Sequence, residues 1–192
     1  MNVFVLSTGR CGSTTFERAC RHITNYSSGH ETRVACFGPE RLNYPPRHIE
    51  SDNRLAWFLG RLERDYPRDV FYVHLQRDQR AVARSYAGRL DPGLIMSAYA
   101  HGIYLYLPED IESRALDVAL DYVETVTANI ELFLAGKANK MRFRLENAQQ
   151  DFRDFWDRIG AEGDFEAAVA EFDVTYNAAG TQLGPSQKDR KK

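Results

Sequence analysis

Apolar residues fall along this chain in two alternating patterns, short continuous runs and longer stretches at helical spacing. Val3-Phe4-Val5-Leu6 and Val70-Phe71-Tyr72-Val73-His74-Leu75 are continuous runs rich in β-branched and aromatic residues. Such runs are typical of strands buried on both faces of a parallel sheet. Ile23 to Ser28 reads as a weaker strand, and Met141-Arg142-Phe143-Arg144-Leu145 as a further one. Between them lie helical patterns. A helix starts near Ser13 and carries Phe16, Ala19 and Cys20 on one side. Leu55, Phe58, Leu59, Leu62 and Tyr66 follow at helical spacing, with Ser51 or Asp52 as the cap and Pro67 as the stop. Asp78 opens a helix bearing Ala81, Val82, Ser85 and Tyr86. A long amphipathic helix is predicted from Glu109 to Leu134, with Gly136 ending it. Shorter helices are predicted over Phe152 to Ile159 and Phe165 to Phe172, and Leu94 to Leu107 reads as core packing. Residues 34–51, with Pro39, Pro45 and Pro46, predict a long irregular loop. Strands alternating with helices predict an α/β fold of three layers, a central parallel sheet flanked by helices. The site then lies at the C-terminal ends of the strands.

Length and charge narrow the possibilities. The 192 residues suit one domain, expected over 1–183, followed by a flexible basic tail over 184–192. A formal net charge of −2 gives no electrostatic footprint for nucleic acid. No apolar run is long enough for a membrane span, and the first strand follows Met1 too closely for a signal peptide. Cys11, Cys20 and Cys36 have no metal-ligand spacing, so no metal is expected and a reducing, cytoplasmic setting is. Cys11, beside a helix N-terminus and Arg10, is a candidate for a lowered thiol pKa. The phosphatase spacing C-x5-R is absent, because Arg18 falls one residue late, so Cys11 reads as a small loop residue.

The candidate chemistry begins where the first strand ends. Ser7-Thr8-Gly9-Arg10-Cys11-Gly12-Ser13-Thr14 joins that strand to a helix N-terminus. Free backbone N–H groups and the positive end of a helix dipole make such a junction an anion site. Gly9 and Gly12 permit close approach of the backbone, Ser13 and Thr14 add hydroxyls, and Arg10 adds a permanent charge. The triphosphate-binding pattern G-x-x-x-x-G-K-[ST] does not fit: the two glycines are too close and no Lys precedes the hydroxyl pair. The second apolar strand ends in Gln76-Arg77-Asp78, and Ser85 follows Arg77 by eight residues. An Arg at a strand end and a Ser on the next helix can converge on one phosphate. After the weak second strand comes Gly29-His30-Glu31-Thr32-Arg33, an acid and an imidazole near the anion loop and candidates for proton transfer.

These segments resemble sulfotransferases that use 3′-phosphoadenosine 5′-phosphosulfate (PAPS). Arg10-Cys11-Gly12-Ser13-Thr14 is similar to the family's P-[KR]-[ST]-G-[ST]-T phosphosulfate loop, with Gly9 where a Pro is common. Arg77 to Ser85 resembles the 3′-phosphate signature R-[DN]-P-x-x-x-x-x-S, with Gln79 in place of its Pro. Gly29 to Arg33 is similar to the G-E-E-T-R segment of tyrosylprotein sulfotransferases. The resemblance implies a P-loop-NTPase-like sulfotransferase fold, PAPS as donor and PAP as product. It implies cofactor binding by Gly9, Arg10, Cys11, Gly12, Ser13, Thr14, Arg77 and Ser85. It also implies a carboxylate base at Glu31, with His48 in the Pro-bearing loop as second choice, and Arg10 facing the leaving group. The acceptor would be a hydroxyl on a carbohydrate, a tyrosine or a small alcohol, with a homodimer possible. Two alternatives stay open: an atypical P-loop nucleotide kinase, and a non-catalytic protein that binds PAP or another nucleotide.

Overall fold

The structure is a computed structural model that describes residues 1–89, 91, 94–105 and 113–174. Five strands form one sheet: β1 (Asn2–Leu6), β2 (Ser27–His30), β3 (His48–Ser51), β4 (Val70–Gln76) and β5 (Lys140–Arg144). Their order is β2-β3-β1-β4-β5, and every pairing is parallel. The helices are α1 (Ser13–Cys20), α2 (Leu59–Asp65), α3 (Gln79–Ala87), α4 (Ile95–Gly102), α5 (Ala115–Leu134), α6 (Ala148–Ile159) and α7 (Phe165–Ala170). The molecule is therefore α/β, with an all-parallel central sheet flanked by helices.

Successive strand residues point to opposite faces, and the rings divide accordingly. On one face Phe16 of α1 meets Phe143 of β5 and Phe152 and Phe155 of α6, with centroids 5.0, 5.8 and 5.1 Å away. On the other, Phe4 of β1 packs on Tyr44 and Tyr66, and Tyr72 of β4 packs edge-on against Phe133 of α5. A fully buried Phe contributes about 1.5–3 kcal/mol relative to an exposed one. Phe4, Phe16, Phe143, Phe152 and Phe155 are all wholly inaccessible. They lock the sheet to both helical layers and so hold the ends of β1 and β4 in register.

Three sequence expectations are corrected. Residues 34–51 are not one irregular loop, because His48–Ser51 is β3, between β2 and β1. Its sequence, His-Ile-Glu-Ser, carries one aliphatic residue and so no hydrophobic signature, yet all four residues are buried. The second strand is Ser27–His30, not Ile23 to Ser28, and Ile23 makes only an isolated antiparallel bridge with Gly163. The helix expected after Asp52 is split into a 3₁₀ turn, Asn53–Trp57, and α2. Asp52 does cap the turn, accepting from the Arg54 N–H at 2.8 Å. The expected long helix is described from Ala115, and its predicted start at Glu109 lies outside the described residues, as does the 184–192 tail. Among the described residues no helix is long and apolar enough to cross a membrane.

The sheet order also locates the crevice. The chain leaves β1 toward β2, on one side, and leaves β4 toward β5, on the other. β1 and β4 are neighbours, so a gap opens between their departing loops, the position where open α/β sheets bind ligands. The two anion-type junctions of the sequence flank this gap.

His74 of β4 is buried at 3% exposure, and burial, aided by the charge of Arg142, pushes its pKa down to about 4. A histidine whose folded pKa lies below its unfolded 6.5 takes up protons preferentially in the unfolded chain. Stability is therefore expected to fall as pH drops from about 6.5 to 4, by about 3 kcal/mol from this residue. Urea denaturation of wild type and His74→Gln at pH 7 and pH 4.5 checks this. The variant should lose less stability on acidification, and equal losses would remove His74 as the cause.

Candidate functional site

The loop after β1 is held open by backbone conformation and by two tyrosines. Gly9, Arg10 and Gly12 all have positive φ, at 84°, 59° and 87°. For Arg10 that conformation costs on the order of 1–2 kcal/mol, so the surrounding structure must hold it. Tyr86 Oη and Tyr122 Oη both donate to the Thr8 carbonyl, at 2.7 and 3.0 Å. A Cβ on Gly9 would lie 2.1 Å from Tyr86 Oη, and one on Gly12 would lie 2.7 Å from Leu145 Cδ1. Glycine is required at both positions by φ and by space. The Ser7 hydroxyl accepts from the Gly9 N–H at 3.1 Å. The next amides behave differently. Those of Cys11, Gly12 and Ser13 have no acceptor among the described residues. Three consecutive amides without acceptors, leading into the N-terminus of α1, form a concave donor set for an anion.

Charged and hydroxyl side chains converge on that set. Arg10 Nε donates to Ser85 Oγ at 3.0 Å, across 75 residues of sequence. Arg77 Nη1 approaches the Arg10 carbonyl at 3.4 Å. Arg77 leaves the end of β4, and Ser85 lies on α3, whose N-terminus Asp78 caps through the Ala81 N–H at 2.8 Å. The structure thus brings Arg10, Arg77 and Ser85 together. Burial, then the nearby charges of Arg89 and Arg77, lower the Arg10 pKa, although guanidinium stays protonated in any accessible pH range. Positive charge is concentrated here in a way that a bound dianion would relieve.

Two clefts open from the loop. One, of about 330 Å³, runs between the ends of β4 and β5 and is lined by Cys11, Gln76, Arg77, Asp78, Arg144 and Glu146 among others. The other, of about 230 Å³, is lined by Arg10, Ser13, Thr14, His30, Glu31 and Arg54 among others. One loop therefore borders two compartments.

Glu31 stands at the wall of the second cleft. Its N–H extends the sheet by donating to the Ser51 carbonyl at 3.1 Å, and its φ of 54° turns the chain outward. Glu50 of β3 fixes that turn. Glu50 Oε1 accepts from the Thr32 N–H at 2.8 Å, and Oε2 accepts from the Thr32 hydroxyl at 2.7 Å. Burial opposes charge on Glu50, but hydrogen bonds from His48 and Thr32 prevail and hold its pKa below the ordinary range. Arg54 Nη1 lies 2.9 Å from Glu31 Oε1. His30 Nε2 and Ser13 Oγ are 3.0 Å apart, tying this segment to the loop.

His48 is placed elsewhere. It opens β3, three residues before the strand's C-terminal end, roughly 10 Å along the strand. Its ring is stacked on Tyr44, with Nε2 2.9 Å from Glu50 and Nδ1 2.8 Å from Ser27 Oγ. Both nitrogens are engaged, and His48 does not line the cleft that holds Glu31. The Cys11 thiol is not activated as its position suggested. Burial pushes its pKa up to about 11, and Sγ donates to the Gly9 carbonyl at 3.2 Å.

Sequence reasoning missed Glu50 as the support of the Glu31 turn, and missed Arg54, Tyr86 and Arg89. Tyr86 had a signal, its adjacency to Ser85. The others had none, because only packing brings them to the site. Comparison of the chain with known protein families and with curated proteins returns no match.

Proposed function

We propose that this protein is a PAPS-dependent sulfotransferase with a P-loop-like sulfotransferase fold. The observation that carries the reading is the convergence of Arg10, Arg77 and Ser85 on a loop whose Cys11, Gly12 and Ser13 amides lack acceptors among the described residues. These groups fit a ligand with two separate phosphate positions. The loop amides and Arg10 would hold the 5′-phosphosulfate, and Arg77 with Ser85 the 3′-phosphate. When bound, PAPS supplies a sulfuryl group whose bond to the phosphate oxygen breaks as one to an acceptor hydroxyl forms.

The chain's own residues then have defined tasks. The amides and Arg10 stabilise negative charge on the departing phosphate without reorganising, since the loop is already held by Tyr86 and Tyr122. Glu31, which lines the same cleft as Arg10, takes the acceptor's proton. Glu50 keeps Glu31 turned toward the cleft through Thr32. Asp78 and Tyr86 hold α3 and the loop in mutual register, so Ser85 stays near Arg10.

Calorimetry with PAP and AMP tests the reading. PAP is expected to bind more tightly by the worth of a charge-assisted contact, about 1.5–3 kcal/mol, because Arg77 meets a phosphate that AMP lacks. Arg77→Ala should abolish most of that difference. Equal affinity for PAP and AMP in the wild type would refute the assignment, and tight MgATP binding would favour a nucleotide kinase instead.

A further inference from the structure

The second cleft carries more positive charge than sulfuryl transfer by itself needs. Arg10 is committed to the donor side under the reading above. Two further guanidiniums, Arg54 and Arg89, line the same 230 Å³ cleft, where Glu31 is the one carboxylate among the described residues. The Arg89 side chain has no hydrogen-bond or ion-pair partner among the described residues. Arg54 is only partly matched. Its Nη1 is near Glu31 Oε1, yet the N–H is not aligned on the carboxylate, and this buried nitrogen makes no hydrogen bond. A buried guanidinium nitrogen with charge contact alone is costly to keep, and an aligned oxyanion would satisfy it. Leu94 and Ile95 add an apolar wall on the same cleft.

We propose that this cleft takes an acceptor whose hydroxyl stands beside an oxyanion, a carboxylate or a sulfo group, on a small apolar-faced body. The oxyanion is held by Arg89 and Arg54. The inference rests on the sulfotransferase reading for calling the ligand an acceptor, but not for the anion subsite itself. Its chemistry has a consequence for Glu31. In the free protein Arg54 Nη1 lies against Glu31 Oε1, at 2.9 Å. An oxyanion that draws Arg54 to itself frees Glu31 at the moment an acceptor arrives. A neutral hydroxyl compound would leave the Arg54–Glu31 contact in place.

The experiment is calorimetric titration of PAP-saturated protein with 4-hydroxyphenylacetate and with its neutral amide, 4-hydroxyphenylacetamide, which differ little except in charge. A third probe, 4-hydroxybenzenesulfonate, separates a carboxylate from a sulfo group. At least one anionic probe should bind at least about tenfold more tightly than the amide, the scale of one charge-assisted contact. Arg89→Gln should remove most of that preference. It has no partner among the described residues to lose, so folding should be unaffected, and a thermal melt checks this. Arg54→Gln should also remove the preference. Equal binding of acid and amide, no binding of any probe, or a preference that survives Arg89→Gln in folded protein overturns the inference. The same titrations without PAP separate the two readings. If PAP does not bind but the anion preference depends on Arg89, the subsite stands and the sulfotransferase assignment falls.

Discussion

Glu31→Gln is expected to turn over at least about a hundredfold more slowly than wild type while binding PAP with nearly unchanged affinity, the usual scale for removing a general base. The glutamine keeps the size of the side chain and its approach to Arg54. It loses the capacity to take a proton and the negative charge that faces Arg54. The backbone turn that presents residue 31 is held by Thr32 and Glu50, so the fold should survive. His48→Ala is the informative partner. His48 is 6% exposed and bonded at both ring nitrogens, so its removal takes one hydrogen-bond partner from the buried Glu50 and one from Ser27. A stability loss of about 1–3 kcal/mol is expected, with a smaller effect on the chemical step in protein that remains folded. Single-turnover rates, PAP titrations and thermal melts on the two variants decide the matter. A near-normal rate in Glu31→Gln beside a folded but inactive His48→Ala would transfer the proton-accepting role to His48.

Arg10→Ala is expected to lower the transfer rate by about 10²–10³-fold, as removal of a preorganised electrostatic donor does elsewhere. The loss of PAP affinity should be smaller, because three loop amides and Arg77 remain. In the proposed reaction Arg10 would face charge that grows on the phosphate, so its contribution should rise toward the transition state. Arg10→Lys should recover part of the rate. A lysine supplies the charge but lacks the forked geometry with which Arg10 also reaches Ser85. Steady-state rates compared with PAP dissociation constants check the split. Intact turnover in Arg10→Ala would reduce Arg10 to a structural residue of the loop.

Much of this architecture is written in local sequence. β1 and β4 are continuous apolar runs, and buried parallel strands tolerate little else on either face. The strand-to-helix junctions at Gly9 to Thr14 and at Arg77-Asp78 are equally local. Gly9 and Gly12 adopt positive φ, and Asp78 caps the helix that follows it. α5 and α6 were legible because an amphipathic stripe repeats over many residues.

What the sequence could not supply depends on partners far along the chain. β3 is polar in composition, and its burial is stabilised by side chains from β2 and the Thr32 turn, which no periodicity reports. The Arg10–Ser85 contact joins residues 75 apart. The second cleft unites the loop after β1, the end of β2, the 3₁₀ turn after β3 and the end of α3. These segments become neighbours only when the sheet assumes the order β2-β3-β1-β4-β5. Sequence by itself determined β1, β4, β5, most of the helices and the two strand-to-helix junctions, because propensity, burial pattern and capping act over a few residues. Tertiary structure alone decided that Glu31 and not His48 faces the crevice, and that Arg54 and Arg89 join it. A side chain's access to a site depends on strand register and neighbouring elements, and those are set by the packing of the whole core.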